Sequence, residues 1–384
     1  MTDFAVENIR SITLRRLGAD YRDSFERLLA RWWGQNWPDG LQQELVRWRY
    51  HQRPEGHLTW VACDGNECVA MLDSRLSQHC LDGVPLMVRE TADWYCLPEY
   101  RTQMLGLRLM RKMQEYGDPI LVINGSQANR TLLSRLHWNQ LPVARNYILP
   151  VTLRGLAANL LRLWWPRHEA LAAAVWHRLP YRPPRRQPPL SGGSTCRVIP
   201  LQADQWFELE SAPASGLAAR FDQAHWQWLN AMPKSFARPL GLLFEADGST
   251  VGMSLSQLEP AASGLDAHIL HVQPAYQNAR LLAWMVAETA AVLATRGADF
   301  VRCRVSTPEK IAAVEAVGFR FVQEVPCFWW SKAGQPVPGV ADLGFLRGDD
   351  ALPLPALRGR QVLSQISSTR EFNPASRMTY PASK

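Results

Sequence analysis

The chain contains the same succession of motifs twice, and this repetition limits the folds it can adopt more than any other feature. In the first half, an Asp-Gly turn at 64–65 joins two apolar strands within 60–71. In the second half, an Asp-Gly turn at 247–248 joins two apolar strands within 242–253. A helical segment precedes each hairpin, and Val, then Ala or Gly, then Met follows each turn. The sequence therefore predicts two copies of one unit.

The correspondence continues downstream of the hairpins. The segments CLPEYR (96–101) and VQPAYQ (272–277) each read as a strand end, then Pro-x-Tyr, then a helix. The first of these helices is predicted to end at Gly117 and the second near Gly297, since glycine is common just past a helix end. A short apolar strand and a second helix follow in each copy, with Thr307 as the N-cap in the later one.

The predicted fold class is α/β, with a mixed sheet in each of two tandem domains. A chain of 384 residues is long enough for two domains, each with its own core. We expect a first domain at 1–152 and a second at 195–335, separated by a helical insert and linker at 153–194. The extension at 336–384 is rich in Pro, Gly and Ser, and we expect part of it to be disordered.

Composition narrows the class of protein. With 47% hydrophobic and 20% charged residues, the chain is of the globular class. Its seven cysteines are scattered without CxxC spacing, which favours reduced core residues over disulfides or a structural zinc site, and we predict no metal. No apolar run approaches the roughly 20 residues that span a bilayer. We therefore expect a cytoplasmic protein.

The net charge of +7 is concentrated in one segment. Residues 151–186 contain seven arginines and a single acidic residue, Glu169. Since a nucleic-acid face needs basic residues spread over a domain, we expect no nucleic-acid partner. Trp164, Trp165 and Trp176 within this insert leave two interpretations open. The insert packs over the preceding domain, or it binds anionic headgroups peripherally at the inner face of the membrane.

The segment 94–113 changes from an apolar strand into an amphipathic helix. The apolar run stops at Pro98, and an apolar stripe at helical spacing then runs from Leu105 to Met113. A helix that begins there presents unpaired N–H groups and the positive end of its dipole to whatever lies in front. With Arg101 in the turn, the segment predicts a phosphate-binding site.

These residues resemble a known family. The stretch TADWYCLPEYRTQMLGLRLM (91–110) is similar to the coenzyme A signature of the GNAT acyltransferases, a strand followed by P-x-[YF]-R-x-x-G-x-[GA] and a helix. The stretch NRTLLSRLHW (129–138) resembles the family segment that ends in Gly-Phe or Gly-Trp, and 311–322 in the second copy keeps that ending. The resemblance covers both copies and implies two tandem GNAT-like domains.

The resemblance implies acetyl-CoA or another acyl-CoA as the cofactor. In the family, the N–H groups of the turn bind the pyrophosphate, and the preceding strand binds the pantetheine arm through its free edge. Arg101 matches the basic position of the motif and Gly106 its final small position, while Cys96–Leu97 is the strand end that faces the pantetheine. The predicted cofactor contacts are Cys96, Leu97, Arg101, Thr102, Gln103, Met104, Leu105, Gly106 and Asn129.

Two departures from the motif concern cofactor binding. Met104 stands where the first glycine of the motif is expected, so a flexible side chain occupies that place. In the second copy the corresponding turn, 277–282, has glycine at neither position. We therefore expect at most one working cofactor site, in the first domain.

Catalytic residues are less clearly marked. In the family a carboxylate on the strand before the signature serves as general base, which here implies Asp93 or Glu90. The family's tyrosine, which protonates the departing thiolate, is replaced by Leu133 in the first copy. Tyr147 and Tyr95 remain as candidate proton donors.

The function implied is acyl-CoA-dependent N-acyltransfer, in the simplest case N-acetyltransfer, to a small-molecule amine. By analogy of fold, the acceptor is an amino sugar or a precursor of the envelope or of exopolysaccharide. The second domain would then contribute to the acceptor cleft or to stability. The alternative is a GNAT-fold binding or scaffold protein that has lost the chemistry.

Overall fold

The computed structural model describes residues 12–33, 41–152, 155 and 195–342, except 53, 55, 124–126, 203, 205, 207–215, 262–263 and 340. The predicted insert at 153–194, apart from Gly155, and the extension beyond 342 lie outside the described residues. None of the helices in the described part of the chain is long and apolar enough to cross a membrane.

The described residues of the first copy form six strands and four helices. The strands are β1 (Ile12–Arg16), β2 (Leu58–Asp64), β3 (Glu67–Leu81), β4 (Val84–Cys96), β5 (Ile120–Ile123) and β6 (Asn139–Pro150). The helices are α1 (Arg22–Trp33), α2 (Leu41–Val46), α3 (Leu105–Gln114) and α4 (Gln127–Arg135). A π-helical turn, Arg47–His51, continues α2, and a 3₁₀ turn, Pro98–Gln103, precedes α3.

The second copy repeats this order. Its strands are β7 (Cys196–Leu201), β8 (Leu217–Ala219), β9 (Arg238–Ala246), β10 (Ser249–Ala261), β11 (Gly264–Pro274), β12 (Phe300–Val305), β13 (Arg320–Trp330) and β14 (Ala341–Asp342). Its helices are α5 (Gln223–Asn230), α6 (Ala279–Thr295) and α7 (Pro308–Val317). The predicted duplication of a mixed α/β unit is confirmed.

The local signals in the sequence mark the turns and helix ends correctly. Gly65 and Gly248, in the two hairpin turns, have φ of +59° and +81°, which glycine adopts without strain. Gly117 and Gly297 follow α3 and α6 with φ of +84° and +95°. The hydroxyl of Thr307 accepts the backbone N–H of Lys310 at 3.4 Å and so caps α7 as predicted.

The last strands of the two copies are exchanged. The described strands form one 14-stranded sheet whose central order is β4-β5-β13-β6-β12-β11. β13 of the second copy thus pairs antiparallel with β5 of the first, and β6 of the first copy pairs antiparallel with β12 of the second. The two exchanged strands also pair with each other. The sequence predicts a last strand in each copy but not this exchange.

The copies also share a hydrophobic core, which corrects the expectation of two separate cores. One contiguous buried cluster includes Phe25 and Met71 of the first copy together with Trp226, Leu243 and Leu270 of the second. β13 pairs with the four-residue strand β5, so the edge of β5 is covered by a strand of the other copy. Each copy thus completes the sheet of the other.

Candidate active site

The fourth strand carries an irregularity next to the predicted cofactor turn. On β3 and β4, Leu72 lies opposite Trp94 while Asp73 lies opposite Ala92, so Asp93 is the extra residue of a β-bulge. The second copy has a register shift at the corresponding place, between Leu255 and Ser256 of β10. A bulge bends a strand and re-aims its side chains, and bulges are frequent beside active sites.

Beyond this region β4 runs on without β5. The parallel pairing of the two strands joins Arg89 to Ile120 and Glu90 to Leu121, whereas β4 continues to Cys96. Among the described strands, residues 91–96 of β4 therefore do not pair with β5. Such an opening exposes strand-edge N–H and C=O groups that can bind an extended ligand.

The predicted turn from strand to helix is confirmed. The 3₁₀ turn Pro98–Gln103 leads to Met104, which has φ +55° and ψ +29° and is 58% exposed. This left-handed conformation is the one glycine adopts most readily, and a side chain there costs about 1–2 kcal/mol. Met104 thus occupies a position whose backbone is that of the glycine it replaces.

The N-terminus of α3 has free backbone donors. The first helical bond is donated by the N–H of Arg108 to the carbonyl of Met104 at 3.1 Å, and no side chain among the described residues caps the helix. The N–H groups of Leu105, Gly106 and Leu107 therefore precede the first helical bond. The exposed Arg101 lies at the entrance, with its Nε donating to the carbonyl of Cys96 at 3.3 Å. The arrangement suits an anion.

Gly106 has a packing role that sequence reasoning missed. A Cβ built on Gly106 would lie 2.8 Å from Nε1 and 3.2 Å from Cε2 of Trp94. The indole of Trp94 thus lies against the first turn of α3, where any larger residue would displace it. The motif assigns Gly106 to cofactor approach, and the structure adds close packing of helix on strand.

The N-terminus of the equivalent helix in the second copy is capped. Asn278 caps α6, and its Oδ1 accepts the N–H of Arg280 at 2.9 Å and of Leu281 at 3.0 Å. These are the first-turn donors that a phosphate would need. The two copies therefore differ in the capping of this helix as well as in the glycines that the second copy lacks.

The other predicted cofactor contacts are distributed around the first turn. Thr102 and Gln103 are exposed on it, Cys96 is partly buried, and Asn129 lies partly buried in α4. Leu97 is 2% exposed and Leu105 is fully buried, so both side chains belong to the core. Only the backbone groups of these two residues are available to a cofactor.

Asp93 lies in a buried polar network. Its Oδ2 accepts hydrogen bonds from Nε of Arg49 at 2.8 Å and from the hydroxyl of Tyr50 at 2.6 Å, and it lies 2.7 Å from Nη2 of Arg49 in an ion pair. Within the described part of the chain, each of these contacts of Asp93 goes to Oδ2, which leaves Oδ1 as the oxygen with proton-accepting capacity. Burial raises the pKa of Asp93, and the Arg49 guanidinium opposes that rise.

Tyr50 donates to Asp93 rather than accepting from it. Burial, followed by the negative charge of Asp93, holds the pKa of Tyr50 well above its usual value, so its hydroxyl keeps the proton. Sequence reasoning missed Arg49 and Tyr50. The segment 44–54 reads as an ordinary helix, and no local signal shows the π-helical turn that aims both side chains at β4.

Glu90 is buried and forms an ion pair with Arg75. Its Oε2 accepts Nη2 of Arg75 at 2.6 Å, and its Oε1 lies 3.4 Å from Nε2 of His79. The Glu90 side chain is 4% exposed. The structure thus places the two candidate bases in different environments on the same strand.

The candidate proton donors lie far apart in the topology. Leu133, at the family's tyrosine position, is fully buried in the shared core. Tyr147, on the exchanged strand β6, donates its hydroxyl to Glu315 of α7 at 2.7 Å and so belongs to the second copy's surroundings. Tyr95 lies beside the cofactor turn and stacks on Trp32 at 4.9 Å. Burial raises the pKa of Tyr95, while Arg101 and Arg31 lower it.

Comparisons with known proteins bear on this geometry. Residues 22–119 match the profile of the Acetyltransferase (GNAT) family, a range that includes β4, the turn and α3. Curated protein sequences give no match.

Solved structures are similar across most of the chain. Saccharomyces cerevisiae N-myristoyltransferase with bound myristoyl-CoA and inhibitors is similar with a TM-score of 0.55 at 11% identity, over 92% of this chain and 86% of that one. A GCN5-related N-acetyltransferase from Anabaena variabilis is similar with a TM-score of 0.53 at 11% identity, over 83% and 72%. These similarities show the fold.

The signature turn, the family match around it and the repeated topology agree with one another. Residues 22–119 match the GNAT family, and the chain has the fold of its structural neighbours, with two GNAT-like units in tandem.

Proposed function

We propose that the first domain is an acyl-CoA-dependent N-acyltransferase and that the second has lost cofactor binding. The observation that carries this proposal is the uncapped N-terminus of α3 beside the opening of β4 from β5, in contrast with the capped α6. The presence of bound myristoyl-CoA in a structural neighbour supports an acyl-CoA ligand for this fold.

The structure offers suitable groups for each part of the donor. The N–H groups of Leu105 to Leu107 and the guanidinium of Arg101 would bind the pyrophosphate, since the former carry partial positive charge and the latter a full positive charge. The free edge of residues 91–96 would bind the amide groups of the pantetheine arm. The acyl thioester supplies the activated acyl group. Acetyl-CoA is the donor that we propose to test first.

Asp93 is the favoured general base. An amine must lose a proton during acyl transfer, and a carboxylate within reach, directly or through water, can accept it. The Arg49 guanidinium opposes the rise that burial causes in the pKa of Asp93, and Oδ1 is the oxygen with proton-accepting capacity. Glu90 instead forms a buried ion pair with Arg75 through Oε2. Tyr95, which burial keeps protonated, is the proposed donor to the departing thiolate.

For the acceptor we propose a small amine, with amino sugars as the first class to test. This choice rests on analogy of fold. We also propose the domain limits 1–152 and 195–335 and a cytoplasmic location, where the free cysteines would stay reduced. Peripheral membrane contact through 153–186 remains one of the two proposed roles of the insert.

The second candidate function is a binding or scaffold protein of the same fold. Leu133 favours it, because a fully buried leucine replaces the family's proton donor. Met104 also favours it, because its side chain projects from the turn that would face the phosphates.

Release of the coenzyme A thiol separates the two functions. The purified protein is incubated with acetyl-CoA or myristoyl-CoA and a panel of amines that includes amino sugars. We expect amine-dependent thiol release, and we expect Asp93→Asn to lower kcat by at least about a hundredfold. Glu90→Gln is the matched control and should retain most of the rate at a temperature where both variants are folded. Binding of acyl-CoA without thiol release for any amine would favour the binding protein.

A further inference from the structure

One π-helical turn of the first domain touches both the second domain and the candidate base. Trp48, Arg49 and Tyr50 are consecutive buried residues of the turn Arg47–His51. Arg49 and Tyr50 bind Asp93, the extra residue of the β4 bulge. Trp48 instead contacts Trp228 of α5, in the second domain. Neighbouring residues of one turn thus connect the two domains through a short path.

The contact between the two tryptophans is specific. Their rings stack with centroids 4.5 Å apart and an interplanar angle of 8°. Nε1 of Trp48 donates to the carbonyl of Trp228 at 2.7 Å, and Nε1 of Trp228 donates to the carbonyl of Trp48 at 3.2 Å. Trp48 is 3% exposed and Trp228 is 8% exposed, so both hydrogen bonds are shielded from water.

The bond that Trp228 donates holds the backbone of the turn itself. The acceptor is the carbonyl of Trp48, directly before Arg49. π-helical turns are rare in proteins, and those that occur are frequently at functional sites. The hydrogen bond from Trp228 is a tertiary contact that stabilises this one. If the turn relaxed to a regular helix, the directions of Arg49 and Tyr50 would change, and Asp93 would lose its partners.

We propose that Trp228 is a positioning residue for the active site of the first domain. Through the backbone of Trp48 it fixes the π-helical turn, which then fixes Asp93 and the bulge where β4 departs from β5. This inference rests on the proposed function and gives the second domain a role in it. The second domain binds no cofactor but holds the base and the pantetheine edge of the first.

Trp228→Phe tests this role with a matched control. Phenylalanine keeps a ring for stacking but removes the N–H donor to Trp48. Trp284→Phe makes the same change in the core of the second domain, where Trp284 is 2% exposed and contacts Phe244 with ring centroids 5.3 Å apart. Hydrogen exchange of residues 47–51 and 92–97 is measured in both full-length variants, together with kcat, KM for acetyl-CoA and the pH profile of kcat.

For Trp228→Phe we expect exchange to rise about tenfold or more in both segments. We also expect kcat to fall about tenfold and its pH profile to shift, because Asp93 loses a fixed Arg49. Trp284→Phe should change neither. Equal effects of the two variants, or faster exchange in 47–51 without any change in 92–97, would overturn the proposal.

A second measurement decides the matter if the variant does not fold. Native-state hydrogen exchange of the unmodified protein in low denaturant should show residues 47–51, 92–97 and α5 opening as one cooperative unit. Separate opening of α5 would overturn the proposal. Both exchange measurements decide the coupling even if the protein transfers no acyl group, so failure of the proposed function is distinguishable from failure of this inference.

Discussion

Trp48 and Trp228 exchange equivalent hydrogen bonds, each donating its indole N–H to the backbone carbonyl of the other. They come from corresponding helical segments of the two copies, so the reciprocal pairing has the form of a local two-fold contact. The exchange of β6 and β13 has the same symmetry, since each strand completes the sheet of the other copy. The duplicated chain therefore forms an internal counterpart of a homodimer.

The tryptophan pair should show strong energetic coupling. Each indole N–H donates to a backbone carbonyl that substitution of the partner's side chain leaves in place, so the coupling of the two side chains comes from the stacked rings, about 0.5–1.5 kcal/mol beyond burial. A double-mutant cycle of Trp48→Ala and Trp228→Ala, measured by denaturant unfolding, should therefore give a coupling free energy of about 0.5–1.5 kcal/mol. The cycle of Trp48→Ala with Trp284→Ala is the control and should give a value near zero. Additivity in the first cycle would contradict the geometry described here.

Replacement of Met104 by glycine should relieve backbone strain at the cofactor turn. Met104 has φ +55° and its side chain is 58% exposed, so little packing is lost. Met104→Ala keeps a Cβ in the left-handed conformation and serves as the control. We expect Met104→Gly to be more stable than Met104→Ala by about 1 kcal/mol in thermal or denaturant unfolding. Equal stabilities would mean that the turn adopts another conformation in solution.

Removal of the cap of α6 should destabilise the second domain without creating a cofactor site. Asn278→Ala loses both hydrogen bonds to the first turn and should cost about 1 kcal/mol of unfolding free energy, while Asn278→Asp should retain the cap. The stoichiometry of coenzyme A binding, measured by calorimetry, should stay at one per chain in both variants. A second binding event in Asn278→Ala would show that the cap alone excludes the cofactor.

The stability of the protein should fall in acid in part because of His79. Burial lowers the pKa of His79 below its usual value of about 6.5, although Glu90 acts in the opposite direction. Below about pH 6.5 the unfolded chain takes up a proton that folded His79 resists, so the free energy of unfolding decreases until the lower folded pKa is passed.

The variant His79→Gln isolates this contribution. We expect it to reduce the slope of unfolding free energy against pH below 6.5 by up to about 1.4 kcal/mol per pH unit. Chemical denaturation between pH 7 and pH 5 measures the slope. The exposed neighbour Gln78 offers the control Gln78→Asn, which should leave it unchanged. A slope as steep in His79→Gln as in the unmodified protein would contradict the assignment.

The sequence predicts what depends on local chemistry. Asp-Gly pairs mark the hairpins, Gly117 and Gly297 mark helix ends, and Thr307 marks a helix start, because each residue type satisfies a backbone requirement of its own position. The cofactor turn is predictable for the same reason, since its proline, arginine and glycine positions all lie within a few residues of each other.

Features that depend on distant contacts could not be predicted in this way. β6 and β13 read as last strands of their own copies, and nothing in their residues distinguishes a strand that stays from one that exchanges. The π-helical turn at Arg47–His51 is set by Trp228, which is distant in sequence. Arg49 and Tyr50, the partners of Asp93, are placed by that turn. The sequence therefore indicates a candidate base but not the network that holds it.

Calorimetric titration with coenzyme A tests the central claim most directly, namely that the N-terminus of α3 is the one cofactor site. Arg101→Glu places a negative charge at this entrance, whereas Arg108→Glu makes the same change further along the helix, where the guanidinium contacts the carbonyl of Ile12. We predict one binding event per chain, weakened at least about tenfold by Arg101→Glu and much less by Arg108→Glu. No binding by the unmodified protein, or equal weakening by the two variants, would contradict the account.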